Sequence, residues 1–235
     1  MLDSIWKKLA WRYARWYAQS SYAWAKLRRI RSPHPRFGFG RGQCIDRYFI
    51  EVFLLENAEN ISGRVLEIGD CEYTKAFGDH RVVRSDVLHA VEGNPAATIV
   101  GDLVSGSGIP PDSFDCIILT QTLPFVPDPY AAIKTVWRSL KPGGVVLVTV
   151  PGISPISRYD ANRWGDFWRF TPQGVERLFG DIFGSQNIDV QSFGNVALAT
   201  AILHGLVVHE MRPEELAFKD EDYPVVICCR AVKCG

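Results

Sequence analysis

The sequence lacks the cysteine and histidine spacing of a structural metal site. Its six cysteines form no CxxC pair, and none of its five histidines falls at zinc-finger spacing. Cys116 lies in an apolar run, which predicts a small buried hydrophobic residue. We therefore predict no metal site, and we expect free thiols in a reduced, cytoplasmic compartment.

Long hydrophobic runs and a net charge are also missing. The longest nearly apolar stretch, residues 196–208, is too short to cross a bilayer and is interrupted by His204 and Gly205. The N-terminus has charges and aromatic residues instead of the apolar core of a secretion signal. The 235 residues include 26 basic and 26 acidic ones, so no global field favours nucleic acid as a partner. The length suits one large domain with a full core.

The first 36 residues contain little negative charge and few residues that break helices. They contain nine Lys or Arg but one acidic residue, Asp3, and no Gly or Pro before Pro33. This pattern predicts an amphipathic helix with a basic face opposite a Trp- and Tyr-rich face. Such a helix can lie in a membrane interface, dock on a partner or pack on its own domain. Because the segment SPHPRFGFGRG breaks the helix, residues 1–36 are predicted as helix and linker, and residues 37–235 as the main domain.

From residue 61 onward, short apolar runs alternate with helical stretches. The runs RVLEIG, RVVRSDV, ATIVGDL, DCIILTQ and GGVVLVTVP are predicted strands. A helix before the fifth run stops at Pro142-Gly143-Gly144. This alternation predicts an α/β fold with a doubly wound, mostly parallel sheet, in which ligands bind at the carboxyl ends of the strands.

Acidic residues fall at three of those predicted strand ends: Glu67, Asp86 and Asp102. A carboxylate after the second strand can accept both hydroxyls of a ribose, and one after the third can take the amino group of an adenine. Each could instead cap the helix that follows, since Asp is a good N-cap residue. Three carboxylates at successive ends favour a nucleoside site.

The loop after the first strand lacks the second glycine of a glycine-rich turn. In VLEIGDCEYTKAFG, residues 65–78, Gly69 can supply the positive φ, but Cys71 and Tyr73 stand where small residues are expected. Tyr73 would either cover a ligand or pack on the sheet. The loop is therefore either a working site of unusual form or the remains of one.

These segments resemble the class I S-adenosylmethionine-dependent methyltransferases. VLEIG is similar to their first motif, SDV to the ribose-binding segment and GDL to the adenine-binding one, and LKPGGVVLVTVPG is the most specific match. The resemblance covers roughly residues 40–233. It implies a Rossmann-like seven-stranded sheet with an antiparallel last strand in DYPVVICCRAVK, and S-adenosyl-L-methionine as cofactor. The residues it implies for cofactor binding are Glu67, Gly69, Asp86, Asp102, Leu103, Thr120 and Gln121, with Tyr48 or Arg47 at the methionine end unless that helix only packs.

More narrowly, the chain resembles methyltransferase-domain proteins associated with bacterial polysaccharide and glycosyltransferase functions. The segments that carry this likeness are RGQCIDRYFIEVFL, EIGDCEYTKAFG, ISRYDANRWGDFWRFTP and FGNVALATAILHGL. The loop form EIGD-x-x-YT is ordinary in that subgroup, which favours a working site. The likeness implies a sugar or lipid-linked glycan acceptor and a glycosyltransferase partner. Residues 1–31 would then hold a cytoplasmic protein on the inner face of the membrane.

The segment after the fifth strand concentrates aromatic, acidic and basic residues. Rings suit sugar faces, and charged side chains suit hydroxyls or phosphates, although a structural loop has the same composition. The candidate acceptor-binding residues are Arg158, Tyr159, Arg163, Trp164, Trp168 and Arg169. Asp160 and Asp166 are the candidate bases, with His204 and His209 as alternatives. Thr171-Pro172 then predicts a helix start.

The sequence thus predicts a methyltransferase for a glycan or lipid-linked sugar. Two alternatives stay open: a non-catalytic binding or scaffold protein that keeps the fold, and a methyltransferase for a small metabolite or lipid. A nicotinamide dehydrogenase is disfavoured because GxGxxG is absent.

Overall fold

A central β-sheet organises residues 30–235, the part of the chain that the computed structural model describes. The strands are β1 Gly63–Ile68, β2 Val82–His89, β3 Ile99–Val100, β4 Phe114–Thr120, β5 Leu140–Pro151, β6 Ile188–Phe193 and β7 Val226–Val232. The helices are α1 Ile45–Glu56, α2 Pro129–Ser139, α3 Arg158–Ala161, α4 Pro172–Phe183, α5 Val196–His204 and α6 Pro213–Ala217. The amphipathic helix predicted within residues 1–36 lies almost wholly outside the described residues.

The sheet has seven strands in the order β3-β2-β1-β4-β5-β7-β6. Strands β1 to β5 pair in parallel, whereas β7 runs antiparallel to both β5 and β6. This order confirms the predicted Rossmann-like sheet with an antiparallel last strand. The carboxyl ends of β1 to β5 consequently lie along one edge, where the order reverses between β1 and β4.

The central strands are apolar on both faces because helices cover both sides of the sheet. Leu66 and Ile117 pack with α2 and α4 on one face, and Val65 and Ile118 pack with α1 and α5 on the other. Cys116 is fully buried in β4, as predicted. The two cores fix the strands, and thereby the loops that leave their carboxyl ends.

Helix α4 begins as the sequence predicts. The Thr171 side chain caps it by accepting a hydrogen bond of 3.1 Å from the backbone N–H of Gly174, and Pro172 follows in the first turn. The cap fixes the point at which the loop after β5 ends and α4 begins. Within residues 30–235, no helix combines the length and the apolar character needed to cross a membrane.

Candidate functional site

Gly69 follows β1 at the carboxyl edge of the sheet and has a φ of +89°. A Cβ atom at this position would meet no other atom within 4 Å, so the backbone faces open space. The Gly69 N–H donates to the carbonyl of Leu88 at 2.9 Å, and the Asn94 side chain donates to the Gly69 carbonyl at 2.7 Å. The turn is thus fixed and leaves the room that a closely approaching ligand needs.

A cavity of about 1100 Å³ opens at the same edge. Its floor includes Thr120 and Gln121 at the end of β4 and Pro151 at the end of β5. The start of α1, with Arg47, forms one wall, and the loop after β5 forms another. The cavity therefore adjoins the strand ends at which the cofactor and the acceptor were predicted to meet.

Glu67 positions the loop after β1. The residue is 1% exposed, and its carboxylate accepts hydrogen bonds from the backbone N–H groups of Tyr73 at 3.1 Å and Thr74 at 2.7 Å. The Thr74 hydroxyl donates a third bond of 2.7 Å. The structure thus gives Glu67 a structural role in place of the predicted cofactor contact. Burial raises the pKa of Glu67 to about 7, against the opposing effect of these hydrogen bonds.

Tyr73 packs instead of covering the open face of the loop. Its ring is 9% exposed and stacks on Phe77, with 6.2 Å between the ring centroids. Its hydroxyl accepts a hydrogen bond from the guanidinium of Arg47 in α1. Side-chain anchors at Glu67 and Arg47 thereby hold a loop that lacks the second glycine.

Arg47 takes the place predicted for Tyr48. Arg47 lines the cavity, whereas Tyr48 packs edge-on against Phe49, with 5.1 Å between the ring centroids. Tyr48 belongs to the partly buried shell of the core under α1. Of the two residues considered for the methionine end of the cofactor, Arg47 is therefore the one that lines the cavity.

Asp86 lies inside β2, because the strand continues to His89. The Asp86 carboxylate is 1% exposed and bonds Arg64 at 2.7 Å, Arg84 at 3.1 Å and Thr98 at 2.9 Å. Burial alone would raise its pKa, but these hydrogen bonds lower it. The structure thus assigns Asp86 to the sheet and corrects its predicted role as the ribose acceptor.

His89 occupies the strand end that was predicted for Asp86. Its Nδ1 lies 2.7 Å from the carbonyl oxygen of Val91. Because a carbonyl can only accept, Nδ1 carries the proton, and Nε2 of the neutral ring is left as an acceptor. A nitrogen of this kind can accept a ribose hydroxyl in place of a carboxylate.

Asp102 binds backbone N–H groups as a cap does, but it caps a turn and not the helix considered from the sequence, since no helix lies between β3 and β4. The Asp102 carboxylate accepts the backbone N–H groups of Val104 and Ser105, each at 3.0 Å. Leu103 is 9% exposed and packs in the core. Neither Asp102 nor Leu103 lines the cavity. The carboxylate thus shapes its own turn, in place of the predicted adenine contact.

The loop of residues 152–171, here called the crossover loop, runs from β5 across the carboxyl edge and back. The Trp164 ring meets the His89 ring edge-on at the end of β2, with 5.7 Å between the centroids. The Trp168 Nε1 donates to the carbonyl of Val126 at 2.9 Å. Both tryptophans fasten the loop to the edge and lie outside the cavity lining, and their contact with the acceptor stays a prediction.

A partly buried ion pair closes the neck of the crossover loop. Arg169 bonds Asp166 at 2.6 Å, and the Asp166 side chain is 2% exposed. Arg169 also donates to the carbonyls of Ser154 at 3.1 Å and Pro155 at 2.6 Å, while Asp166 accepts the Ser157 N–H at 3.0 Å. With these partners Asp166 is a structural anion, which corrects its predicted role as base. Arg169 lines the cavity, but its guanidinium is hydrogen-bonded within the crossover loop.

The remaining predicted acceptor residues come together in the cavity wall. Arg158, Tyr159, Asp160 and Arg163 all line it. The Arg163 guanidinium lies over the Tyr159 ring, 3.5 Å from its centroid, and Asp160 accepts a hydrogen bond of 2.6 Å from the Ser157 hydroxyl. His204 and His209, the alternative bases, do not line the cavity.

The edge as a whole suits a nucleoside joined to a charged amino acid. Gly69 leaves open space, His89 offers an acceptor to ribose, and Arg47 offers a cation to a carboxylate. Thr120 and Gln121 add polar groups at the end of β4. This set of groups fits S-adenosyl-L-methionine. The carboxylates of Glu67, Asp86 and Asp102, in contrast, are hydrogen-bonded to groups of the protein itself.

Comparison with known proteins agrees with the sheet order. The methyltransferase domain family matches residues 55–148. A SAM-dependent methyltransferase from Archaeoglobus fulgidus is 13% identical with a TM-score of 0.51, over 80% of this chain and 94% of that one. One from Mesorhizobium loti is 17% identical with a TM-score of 0.51, over 80% and 98%.

Phosphoethanolamine N-methyltransferase 2 from Haemonchus contortus, in complex with S-adenosyl-L-methionine, is 14% identical with a TM-score of 0.55, over 86% of this chain and 56% of that one. No curated protein matches the sequence. Residues 55–148 thus match the methyltransferase domain family, and the sheet of residues 30–235 has the Rossmann-like fold of these methyltransferase structures.

Proposed function

We propose that the protein transfers the methyl group of S-adenosyl-L-methionine to a hydroxyl of a glycan or lipid-linked sugar. The observation that carries this proposal is the cavity at the ends of β4 and β5, with the Tyr159 ring and Arg158 in its wall. Sugars bind proteins through rings on their apolar faces and charged groups on their hydroxyls. The likeness of ISRYDANRWGDFWRFTP to polysaccharide-associated proteins supports the same acceptor class.

The bound cofactor supplies a methyl group on a positively charged sulfur. The chain has to hold the acceptor in line with that group and keep water away. We assign cofactor binding to Gly69, His89, Arg47, Thr120 and Gln121. The crossover loop serves both ends of the site, because Trp164 touches His89 while Tyr159 lines the acceptor cavity.

Two measurements test this proposal. Calorimetric titration with S-adenosylhomocysteine checks the cofactor site, and absence of binding would favour the non-catalytic alternative. Incubation with methyl-tritiated cofactor and a panel of acceptors then checks the substrate class. The panel holds octyl glycosides, polyprenyl-diphosphate-linked sugars, phospholipids and small amines. We expect label on the sugars, and label confined to phospholipids or amines would contradict the sugar assignment.

Tyr159→Ala is expected to lower kcat/KM for the best sugar acceptor about tenfold, because a lost aromatic contact of about 1.4 kcal/mol corresponds to that factor. Binding of S-adenosylhomocysteine should stay unchanged. Tyr130→Ala is the matched control, since Tyr130 is an exposed aromatic residue on α2, outside the cavity lining. Equal losses in the two variants would remove the sugar-stacking role from Tyr159.

We further propose that residues 1–31 bind the inner face of the membrane and bring the domain to a lipid-carried acceptor beside a glycosyltransferase. The support is the sequence pattern of a basic face opposite a Trp- and Tyr-rich face. The full chain should sediment with anionic liposomes, and a chain without residues 1–31 should not. Sedimentation that survives the truncation would exclude this segment as the anchor.

A further inference from the structure

The acceptor cavity is lined by four carboxylates: Asp46, Glu51, Asp160 and Asp166. Asp166 is committed to Arg169, and Asp160 accepts the Ser157 hydroxyl. Glu51 accepts a hydrogen bond of 2.7 Å from the side chain of Gln43 at an exposed position. Asp46 has no side-chain partner among residues 30–235. Its carboxylate accepts a hydrogen bond of 2.9 Å from the backbone N–H of Arg47.

Asp46 also lies beside the carboxyl ends of β4 and β5. It lines a second, small cavity together with Gln121 at the end of β4 and Pro151 at the end of β5. The other walls of that cavity include the apolar residues Ile202 and Val225. Glu51, one and a half turns further along α1, does not line it. The Asp46 carboxylate thus stands between the floor of the acceptor cavity and an apolar recess.

The ordinary role of an acid in the first turn of a helix is to hold backbone N–H groups, and one oxygen of Asp46 does so. This is Oδ1, which accepts the Arg47 N–H. The other oxygen, Oδ2, receives no hydrogen bond from the described residues. It is also not a buried atom without a partner, since within residues 30–235 that description applies to Arg81 Nε. Oδ2 is therefore open to the cavity and free to accept a proton.

We propose that Asp46 is the general base of the methyl transfer. This inference rests on the proposed function. As the acceptor oxygen forms its bond to the methyl carbon and the carbon–sulfur bond breaks, the hydroxyl proton passes to Asp46 Oδ2. The sulfur keeps the bonding electron pair and leaves as neutral S-adenosylhomocysteine, and the proton later passes to water. The products are a methyl ether, S-adenosylhomocysteine and one proton.

The electrostatics agree with this role. Burial raises the pKa of Asp46 above its ordinary value, although the Arg47 N–H and the Arg47 charge act in the other direction. Arg47 and Glu51 face the cavity from the same helix, and Arg158, Asp160 and Arg163 face it from the crossover loop. A carboxylate with a raised pKa is a stronger base at neutral pH than an exposed one.

The test compares Asp46→Asn with Glu56→Gln in the full chain. The assay uses methyl-tritiated cofactor and octyl glycosides as acceptors. We expect Asp46→Asn to lower kcat about 100- to 10,000-fold with little change in KM or in S-adenosylhomocysteine affinity, as for other general bases. Glu56→Gln, at the exposed end of α1 and outside the lining of both cavities, should keep wild-type kcat. The fall of wild-type kcat toward acidic pH, where Asp46 is protonated, should be missing from the residual activity of Asp46→Asn.

Three results would overturn the proposal. One is kcat of Asp46→Asn within about threefold of wild type. Another is an unchanged acid limb in that variant, and a third is a large loss in Asp160→Asn with none in Asp46→Asn. If wild-type protein methylates no octyl glycoside, the acceptor assignment fails separately. The carboxyl titration of Asp46 by ¹³C NMR, in the complex with S-adenosylhomocysteine, then decides. A pKa at or below the ordinary 3.8 contradicts a base there, and a raised pKa supports one.

Discussion

Glu67→Ala is expected to lower the free energy of unfolding by about 2–4 kcal/mol and to weaken S-adenosylhomocysteine binding at least tenfold. The substitution leaves the backbone N–H groups of Tyr73 and Thr74 without their acceptor, and each buried unpaired group costs about 1–3 kcal/mol. Cofactor binding falls because the loop that follows Gly69 loses its anchor. Urea denaturation and calorimetric titration measure the two effects.

The raised pKa of Glu67 also predicts how the free energy of unfolding changes with pH. Its pKa is about 7 in the folded protein, above the ordinary 4.5, so the folded chain holds this proton where the unfolded chain has lost it. The contribution of Glu67 therefore makes the free energy of unfolding fall as pH rises from about 4.5 to 7, by about 3 kcal/mol at most. Asp115, whose pKa is lowered, acts in a different window: its contribution is present above its ordinary pKa and is lost at more acidic pH.

Three variants separate these effects. Glu67→Gln should remove the slope between pH 4.5 and 7, whereas Asp115→Asn should leave it in place. Glu176→Ala, at an exposed position of α4, should change the free energy of unfolding by less than about 0.5 kcal/mol. If Glu67→Ala unfolds with wild-type energy, or if Glu67→Gln keeps the slope, the loop does not depend on this carboxylate.

The sheet could be predicted from the sequence because each strand is an apolar run bounded by turn residues. RVLEIG, DCIILTQ and GGVVLVTVP became β1, β4 and β5 since both faces of the sheet are covered, and burial on both faces leaves a continuous hydrophobic signal. The signal for the start of α4 was equally local, because the capping residue Thr171 and Pro172 are neighbours in the sequence. Such signals require no knowledge of distant contacts.

The site residues were harder to predict because their roles depend on where strands end and on distant partners. Asp86 was placed at a strand end, but β2 runs three residues further, to His89. Arg64, which neutralises Asp86, lies 22 positions away along the chain. The same holds for Asp46, whose neighbours in the small cavity come from β4, β5 and α5. A signal was present for His89, since it closes the apolar stretch of the second strand.

Arg169→Leu is expected to detach the crossover loop and to lower stability by up to about 3–5 kcal/mol. The substitution leaves Asp166, 2% exposed, as a buried charge without its partner. It also frees the carbonyls of Ser154 and Pro155. We expect faster hydrogen exchange at the Phe170 amide, which closes the loop on the Pro151 carbonyl, and a higher KM for the acceptor.

Two controls show whether the buried charge causes this loss. Arg177→Leu breaks an exposed ion pair with Asp181 on α4 and should cost less than about 0.5 kcal/mol. Replacing both Arg169 and Asp166 with leucine should restore part of the stability lost in Arg169→Leu, because no uncompensated charge remains buried. The double variant should nevertheless keep a raised acceptor KM, since the hydrogen bonds to the loop carbonyls are still missing. An Arg169→Leu protein as stable as Arg177→Leu would mean that the tryptophan contacts at the edge hold the crossover loop on their own.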